Sequence, residues 1–393
     1  MRGEHVASVI QKCKTDPANR NHPCEKVRCG HPWTVRYREP GGRTGRQREK
    51  SFPTKKQAEG HGLKMENDKR EGTYLDPKRG AVPLKVYAEK WVARQHLAVG
   101  TEGVYDRAFR LHIFPALGHR LLSTLRPEDI ETLAREMTAA GLTANSVDAY
   151  MTPLRSVCKA AVNNGDIGRN PFTGAKLPKL PSKAVDDKRL PNGQQIQDIA
   201  DEFRRELALS VWLMAGLGLR TGEVLGLRVG DFGEDRVRVR RQITRGKGGR
   251  GLLVGPLKHR REGDWRDVPL PTNLREAVAE HVATYGTGPD GALFQTGTGK
   301  YVATSDFATH FRKVVKLLGH SWSPHDLRHW FASTALSSGL PLLDVSRWLG
   351  HRNISETADT YGHLTPDSTG RAIRVMDGAI TQHRAGLVLD VAA

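Results

Sequence analysis

The segment SPHDLRHWFASTAL, residues 323–336, predicts the start of a helix. Ser323 is a preferred N-cap residue, and Pro324 suits the first helical position. Asp326 adds an acid to the first turn, where a negative charge interacts favourably with the helix dipole.

Two basic side chains lie on one face of that predicted first turn. His325 and Arg328 are three residues apart, and the amino end of a helix favours an anion. We therefore interpret the pair as a phosphate-binding group. His329 is expected off this face and is interpreted as structural. In isolation, His325 would more often be a capping or core histidine, but its position beside Arg328 favours a functional site.

Upstream, the segment GLGLRTGEVLGLRVGDF at residues 216–232 places an arginine between two helices. Its two leading glycines end one helix, and Thr221 with Glu223 begins the next. Arg220 is therefore expected on the short connection, with Glu223 orienting its guanidinium group. A lone arginine in such a loop is usually a surface residue, and the neighbouring segments favour function here.

Downstream, the segment WLGHRNISETADTYGHL at residues 348–364 carries His351 and, ten residues later, Tyr361. A tyrosine has an ordinary pKa near 10, so a nucleophilic tyrosine must lose its proton during attack or be surrounded by cations. We predict that Tyr361 is the nucleophile, that His325 is the general base and that His351 donates a hydrogen bond to the phosphate. The roles of the two histidines could be exchanged.

These three segments resemble, in this order and at ordinary spacing, the signature boxes of the tyrosine recombinase (phage integrase) family. The resemblance implies that Tyr361 attacks a scissile phosphate, giving a 3′-phosphotyrosine bond and a free 5′-hydroxyl. It also implies a site-specific recombinase that integrates or excises a mobile element such as a prophage. No cofactor is expected for catalysis, because the covalent intermediate keeps the phosphoester energy.

The resemblance also implies a lysine that protonates the departing 5′-hydroxyl from a hairpin. Alternating residues between 236 and 271 predict a three-stranded sheet with basic turns. Lys258 aligns best with the lysine of the family, and Lys247 and Arg260 remain rivals.

The composition independently favours nucleic acid as the partner. The chain of 393 residues has 61 Lys and Arg against 43 Asp and Glu, a net charge of +18. Such a protein most simply neutralises phosphates, although an arginine-rich proteome is the alternative explanation. No apolar stretch is long enough to span a membrane, and the first residues lack a signal-peptide core. We expect a cytoplasmic protein, associated with the nucleoid of a bacterial host.

The expected fold class is multidomain and mainly α, with small β-sheets. A basic α+β head at residues 1–76, with a hairpin beginning at Trp33–Arg38, resembles the arm-type DNA-binding domain of phage integrases, and a solvated basic hairpin without a site is the alternative. Residues 82–178 resemble the all-helical core-binding domain. Residues 185–393 form the mixed α/β catalytic domain. Segments rich in Pro and Lys join the domains.

The head also carries a candidate metal site. Cys13, Cys24, Cys29 and His31 lie in a basic segment with little apolar material in which to bury three thiols. Three thiolates and an imidazole are a ligand set for structural zinc. The spacing differs from the tight pairs of common zinc fingers, His22 competes as the nitrogen ligand, and unliganded thiols are the alternative.

The expected partners are double-stranded attachment-site DNA and three further copies of the chain, since strand exchange joins two duplexes with two cleavage sites each. A directionality factor and a DNA-bending host protein stay open as further partners. Residues 369–389 are expected to be a helical tail that is either passed to a neighbouring protomer or packed on its own domain. The alternatives in function are a type IB topoisomerase, a non-catalytic DNA-binding protein and a recombinase that resolves chromosome dimers.

Overall fold

The computed structural model describes residues 7–27, 29–41, 44–72, 74, 76, 79–246, 251–258, 260–365 and 369–383. The chain divides into two compact units, Met1–Pro181 and Ser182–Ala393. Its architecture is mainly helical with small antiparallel sheets, so the predicted fold class is confirmed. Within the described ranges, every helix is too short or too polar to cross a membrane.

The N-terminal unit begins with a three-stranded antiparallel sheet in the order β1-β2-β3, covered by one helix. The predicted hairpin is confirmed, since Trp33 pairs with Phe52 and Arg38 with Gln47. Thr54 caps the covering helix by accepting a hydrogen bond from the backbone of Gln57. The elements of this part are β1 (Ser8–Ile10), α1 (Lys12–Thr15), β2 (Trp33–Arg38), β3 (Gln47–Phe52) and α2 (Lys55–Arg70).

The rest of the N-terminal unit is helical. Helix α6 begins where the sequence predicted, because Pro127 occupies its first turn and Asp129 accepts a hydrogen bond from the backbone of Arg126. The side chains of Met151 and Leu154 are completely buried in the shared core. The helices are α3 (Leu84–Val92), α4 (Val99–Ala108), α5 (Phe114–Leu117), α6 (Pro127–Ala139) and α7 (Ala144–Asn163).

The C-terminal unit places helices around a core that is centred on α9 and α13, which pack against each other. Leu213 and Leu217 of α9 and Leu327 of α13 are fully buried, and each such side chain contributes roughly 1.5–3 kcal/mol by leaving water. The helices are α8 (Gly193–Asp201), α9 (Arg205–Leu217), α10 (Thr221–Leu225), α11 (Thr272–Tyr285), α12 (Thr304–Leu317), α13 (Pro324–Ser337), α14 (Leu342–Leu349), α15 (Ile354–Tyr361) and α16 (Thr369–His383).

The predicted three-stranded sheet between residues 236 and 271 is wrong. The strands form two antiparallel pairs instead, and the pairs are β4 (Arg236–Val239) with β7 (Arg266–Pro269) and β5 (Gln242–Arg245) with β6 (Leu252–Gly255). Arg241, between β4 and β5, turns its guanidinium to Asp231 and to the carbonyl oxygen of Gly226. Residues 240 and 241 thus separate β4 from β5, and the two strands join different pairs, which alternation of residue types cannot reveal.

Candidate active site

Arg220 is held on the connection between α9 and α10 by a glycine turn. Gly218 has φ of 63°, and a Cβ atom at this position would lie 2.4 Å from Cδ1 of Phe331. Only glycine satisfies both the left-handed backbone and this close approach. Arg220 is the N-cap residue of α10, and its Nη1 donates a hydrogen bond of 3.0 Å to Oε1 of Glu223. The predicted contact between Glu223 and Arg220 is confirmed.

Glu223 is completely buried and is shared with a second arginine, which the sequence analysis did not single out. Arg266 on β7 donates from Nη1 and Nη2 to the two carboxylate oxygens, at 3.0 and 2.6 Å. Burial alone would raise the pKa of Glu223, but Arg266 and Arg220 lower it to about 2. The carboxylate therefore stays ionised at neutral pH, and two guanidinium groups surround one negative charge.

Both arginines also bind the end of helix α14. Nε of Arg266 donates to the carbonyl oxygen of Trp348 at 2.6 Å, and Arg220 donates to the carbonyl oxygens of Leu349 at 3.4 Å and Gly350 at 3.5 Å. These carbonyls lie at the negative end of the helix dipole, where cations are favourable. The segment that leads into His351 is thereby fixed next to Arg220.

Arg328 lies on α13, and its side chain is only 1% exposed. Its Nη1 donates to the carbonyl oxygen of Gly218 at 2.7 Å, which brings it next to the Arg220 connection. Its Nη2 is buried and has no hydrogen-bond partner among the described residues. Burial and the nearby Arg220 lower the pKa of Arg328 to about 9, so the guanidinium remains charged at neutral pH. A buried cationic donor without a partner is suited to an anionic ligand.

His325 lies on the first turn of the same helix, as expected from the Ser323 capping box. Burial first, and then His329 and the positive charges of Arg328 and Arg220, lower the pKa of His325 to about 4. The imidazole is therefore neutral at pH 7 in the protein alone. Its ring centroid lies 4.5 Å from that of His329, one helical turn further along.

His351 follows Gly350, whose φ of 67° ends α14 in the left-handed region. Nδ1 of His351 lies 2.7 Å from the hydroxyl oxygen of the buried Thr357, which fixes the ring. Burial, followed by Arg328 and Arg220, lowers the pKa of His351 to about 3. The second ring nitrogen, Nε2, is left for another partner.

Tyr361 ends α15 and is 1% exposed. Burial raises the pKa of Tyr361 to about 12, although the charge of Arg328 acts in the opposite direction. Its hydroxyl oxygen lies 2.6 Å from Nδ1 of His329.

The prediction that His329 lies off the face of His325 is therefore wrong. His329 is one position after Arg328 but four after His325, and residues four apart share a helix face. That spacing was the signal that could have identified it. Burial lowers the pKa of His329 as well, so its imidazole is neutral and can accept a hydrogen bond from the tyrosine.

Lys258 is not part of this cluster. It is exposed on the loop after β6, and among the described residues it forms no hydrogen bond or ion pair with the five clustered side chains. Its rival Arg260 donates to the carbonyl oxygen of Trp265 at 3.2 Å, while Lys247 lies outside the described residues. The residues that come together are Arg220, His325, Arg328, His351 and Tyr361, with His329 and Arg266 added.

In the N-terminal unit, the four predicted metal ligands also come together. One ligand atom from each of Cys13, Cys24, Cys29 and His31 lies within 4.8 Å of all the others. The cysteines are not joined in disulfides. His22, the competing nitrogen ligand, is not a member of this group.

Comparison with known proteins identifies the family. Residues 192–367 match the model of the phage integrase family. The chain is 30% identical over 251 residues to the tyrosine recombinase XerC of Pseudomonas aeruginosa, covering 62% of this chain and 76% of that protein. It is 27% identical over 277 residues to the integrase of Mycobacterium phage D29, covering 69% and 72%.

Solved structures with the same fold include the integrase of the Tn1549 transposon bound to transposon right-end DNA. The TM-score is 0.61 at 20% identity, covering 75% of this chain and 98% of that one. A lambda integrase tetramer bound to a Holliday junction aligns with a TM-score of 0.53 at 16% identity, covering 82% and 94%. The chain belongs to the phage integrase family and is a tyrosine recombinase.

Proposed function

We propose that this chain recombines DNA at specific attachment sites through a 3′-phosphotyrosine intermediate, integrating or excising a mobile element such as a prophage. The observation that carries the proposal is the buried Nη2 atom of Arg328, which has no hydrogen-bond partner among the described residues. A scissile phosphate beside Arg220 and Arg328 would satisfy this donor. Two arginines also stabilise the extra charge of the pentacovalent transition state.

In the proposed step, the Tyr361 oxygen forms a bond to phosphorus while the bond from phosphorus to O5′ breaks. The tyrosine proton passes to an imidazole. His329 is the histidine in contact with the tyrosine oxygen, which supports it as the acceptor, whereas His325 is the acceptor that the sequence favoured. His351 donates from Nε2 to a phosphate oxygen. Lys258 supplies the proton to the departing 5′-hydroxyl.

The low pKa values of His325 and His351 are consistent with a site that binds a negatively charged ligand. His325 and His351 are held neutral by burial and by two guanidinium groups. A bound phosphodiester brings a compensating negative charge, which raises the pKa of both imidazoles and favours proton uptake. No residue of this scheme requires a metal or a nucleotide cofactor.

The proposed roles in DNA binding and cleavage are assigned to the three domains that the sequence predicted. Residues 1–76 bind arm-type sites, residues 82–178 bind the core site and residues 185–393 carry out cleavage. We place this activity in the bacterial cytoplasm, on nucleoid DNA, with a directionality factor and a DNA-bending host protein as further partners.

A homotetramer is the proposed active assembly, and helix α16 is the proposed contact between its protomers. Its side chains Ile373, Val375 and Met376 are 55%, 62% and 56% exposed, although they are apolar. A second copy of the chain would cover them, as expected for a helix that is passed around a ring. The lambda integrase tetramer on a Holliday junction supports the stoichiometry.

The proposal is tested by trapping the covalent intermediate on a nicked suicide substrate made from the attachment core. Wild-type protein should form the adduct, while Tyr361→Phe should bind the DNA and form none. Tyr285→Phe, at a surface tyrosine, is the matched control. An adduct with Tyr361→Phe would contradict the assignment. A chain that relaxes supercoils but fails to recombine two sites would be a topoisomerase instead.

A further inference from the structure

The segment between β1 and β2 has little secondary structure and only a small hydrophobic core beside it. It contains the single turn α1, after which the described part of residues 16–32 forms no helix or strand. The neighbouring core cluster is small, and among the described residues its buried members are Val35, Tyr37 and Ala58. A long irregular connection next to so small a core needs another source of order.

The thiols of this segment converge on one point. Sγ of Cys13 lies 3.7 Å from Sγ of Cys29, and the ligand atoms of Cys24 and His31 are within 4.8 Å of both. Sulfur atoms in a disulfide are about 2.05 Å apart. Two thiolates on one tetrahedral zinc ion, with bonds of about 2.3 Å, have sulfur atoms about 3.8 Å apart. The observed separation matches the second arrangement.

Two hydrogen bonds hold the ligand-bearing stretches together. The backbone N–H of Cys24 donates to the carbonyl oxygen of Cys13 at 3.0 Å, and Nε2 of Gln11 donates to the carbonyl oxygen of His31 at 3.0 Å. Cys13 is 1% exposed. The ligand residues are therefore positioned by hydrogen bonds and by burial, rather than lying on an open surface.

The nitrogen ligand can be chosen between two histidines. His22 and His31 each have a buried Nδ1 without a hydrogen-bond partner among the described residues. Only the imidazole of His31 lies within reach of all three thiols. A buried imidazole nitrogen that no protein group satisfies is well suited to a metal.

We infer that Cys13, Cys24, Cys29 and His31 bind one zinc ion, which ties α1 to the start of β2. Three soft thiolates and one imidazole select zinc over calcium or magnesium, and four protein ligands leave no open position for catalysis. The ion is structural. It fixes the connection that leads into the basic strands β2 and β3, and this conclusion does not depend on the recombinase reaction.

The test measures zinc in the full-length chain, purified without a chelator or a polyhistidine tag. About one zinc per chain is expected in the wild type, in His22→Ala and in Cys158→Ala, whose thiol lies in the separate helical core. Cys24→Ser and His31→Ala should hold less than roughly 0.2 zinc per chain. Wild-type protein with so little zinc, folded and with reduced thiols, overturns the inference, as does a disulfide between Cys13 and Cys29.

A second measurement covers the case in which the variants fail to fold. Cobalt added to the wild-type chain after removal of its metal should give the absorption spectrum of a tetrahedral thiolate site, and chelation should open residues 11–32 to protease. An octahedral spectrum, or unchanged cleavage by protease, would contradict the site. Core-site cleavage measured on the same samples separates this outcome from failure of the proposed recombinase function.

Discussion

Nδ1 of His329 lies 2.6 Å from the hydroxyl oxygen of Tyr361, so the proposed nucleophile has one imidazole as its immediate neighbour. Since the pKa of Tyr361 is raised to about 12 and that of His329 is lowered, the proton stays on the tyrosine in the free protein. When the neutral ring carries its proton on Nε2, the phenol donates this hydrogen bond to Nδ1 of His329.

His329→Ala should slow single-turnover cleavage by about 100-fold, because a positioned base contributes at least this much to proton transfer. His329→Gln, which can accept a hydrogen bond but cannot take the proton, should be equally slow. His320→Ala, at a histidine outside the cluster, is the control. Cleavage at the wild-type rate by His329→Ala would return this residue to a purely structural role.

Arg328→Lys keeps the positive charge but loses the planar fork, which donates to the carbonyl oxygen of Gly218 and has a second nitrogen for the proposed phosphate. We expect DNA binding to persist and the rate of cleavage to fall by about 100-fold, the usual effect of losing one oxyanion donor. Arg312→Lys, at an exposed position on α12, is the matched control. If Arg328→Lys cleaves normally, the guanidinium does not contact the transition state.

Lys258→Ala should slow cleavage because the departing oxygen lacks its acid. A substrate with a 5′-bridging phosphorothiolate has a leaving group that needs no proton, so it should restore the rate. Lys247→Ala and Arg260→Ala should cleave the phosphorothiolate substrate no faster than they cleave the ordinary phosphodiester. Rescue of Lys247→Ala instead would move the acid to that residue.

Glu223→Gln should lower the melting temperature at pH 7, because it leaves two arginines around an uncharged group, at a cost of about 3 kcal/mol. The folded pKa of about 2 lies below the ordinary 4.5, so this stabilisation is complete above pH 4.5 and is lost as the pH falls toward 2. Calorimetry should show that the difference in melting temperature between Glu223→Gln and the wild type becomes smaller as the pH falls across this range. Glu202→Gln, at an exposed carboxylate, should show no such change; a constant difference for Glu223→Gln would contradict the linkage.

Deleting residues 1–76 should preserve cleavage of a core site and abolish recombination at a full phage-type site. The head contributes the proposed arm-site contacts, whereas the cleavage residues all lie beyond residue 219. Gel-shift and two-site recombination assays with the truncated chain measure both effects. Unchanged recombination would favour a simpler recombinase without arm sites.

Local signals in the sequence predicted much of the site. Ser323 and Pro324 mark the start of α13, and the glycines before Arg220 mark the end of α9. The structure has both helix ends where the sequence predicted them. The proximity of Arg220 and Glu223 follows from a spacing of three residues. The chemical roles of the clustered residues stay predictions.

Contacts between distant segments could not be predicted in this way. Arg266 lies in an alternating strand like its neighbours, and nothing local indicates that it pairs with Glu223, 43 residues earlier. The pairing of β4 with β7 rather than with β5 likewise joins segments that are far apart in sequence. His329 differs from these cases, because its spacing of four residues from His325 is a local signal that places both on one helix face.

The burial of Tyr361 has a consequence for how the enzyme is restrained. A side chain that is 1% exposed cannot bring its oxygen within bonding distance of a phosphorus atom on DNA. For Tyr361 to act as the proposed nucleophile, α15 has to move before attack, so we expect cleavage to include a conformational step. In the free protein the proposed nucleophile is thus covered, and we expect this burial to limit cleavage of DNA outside the attachment sites.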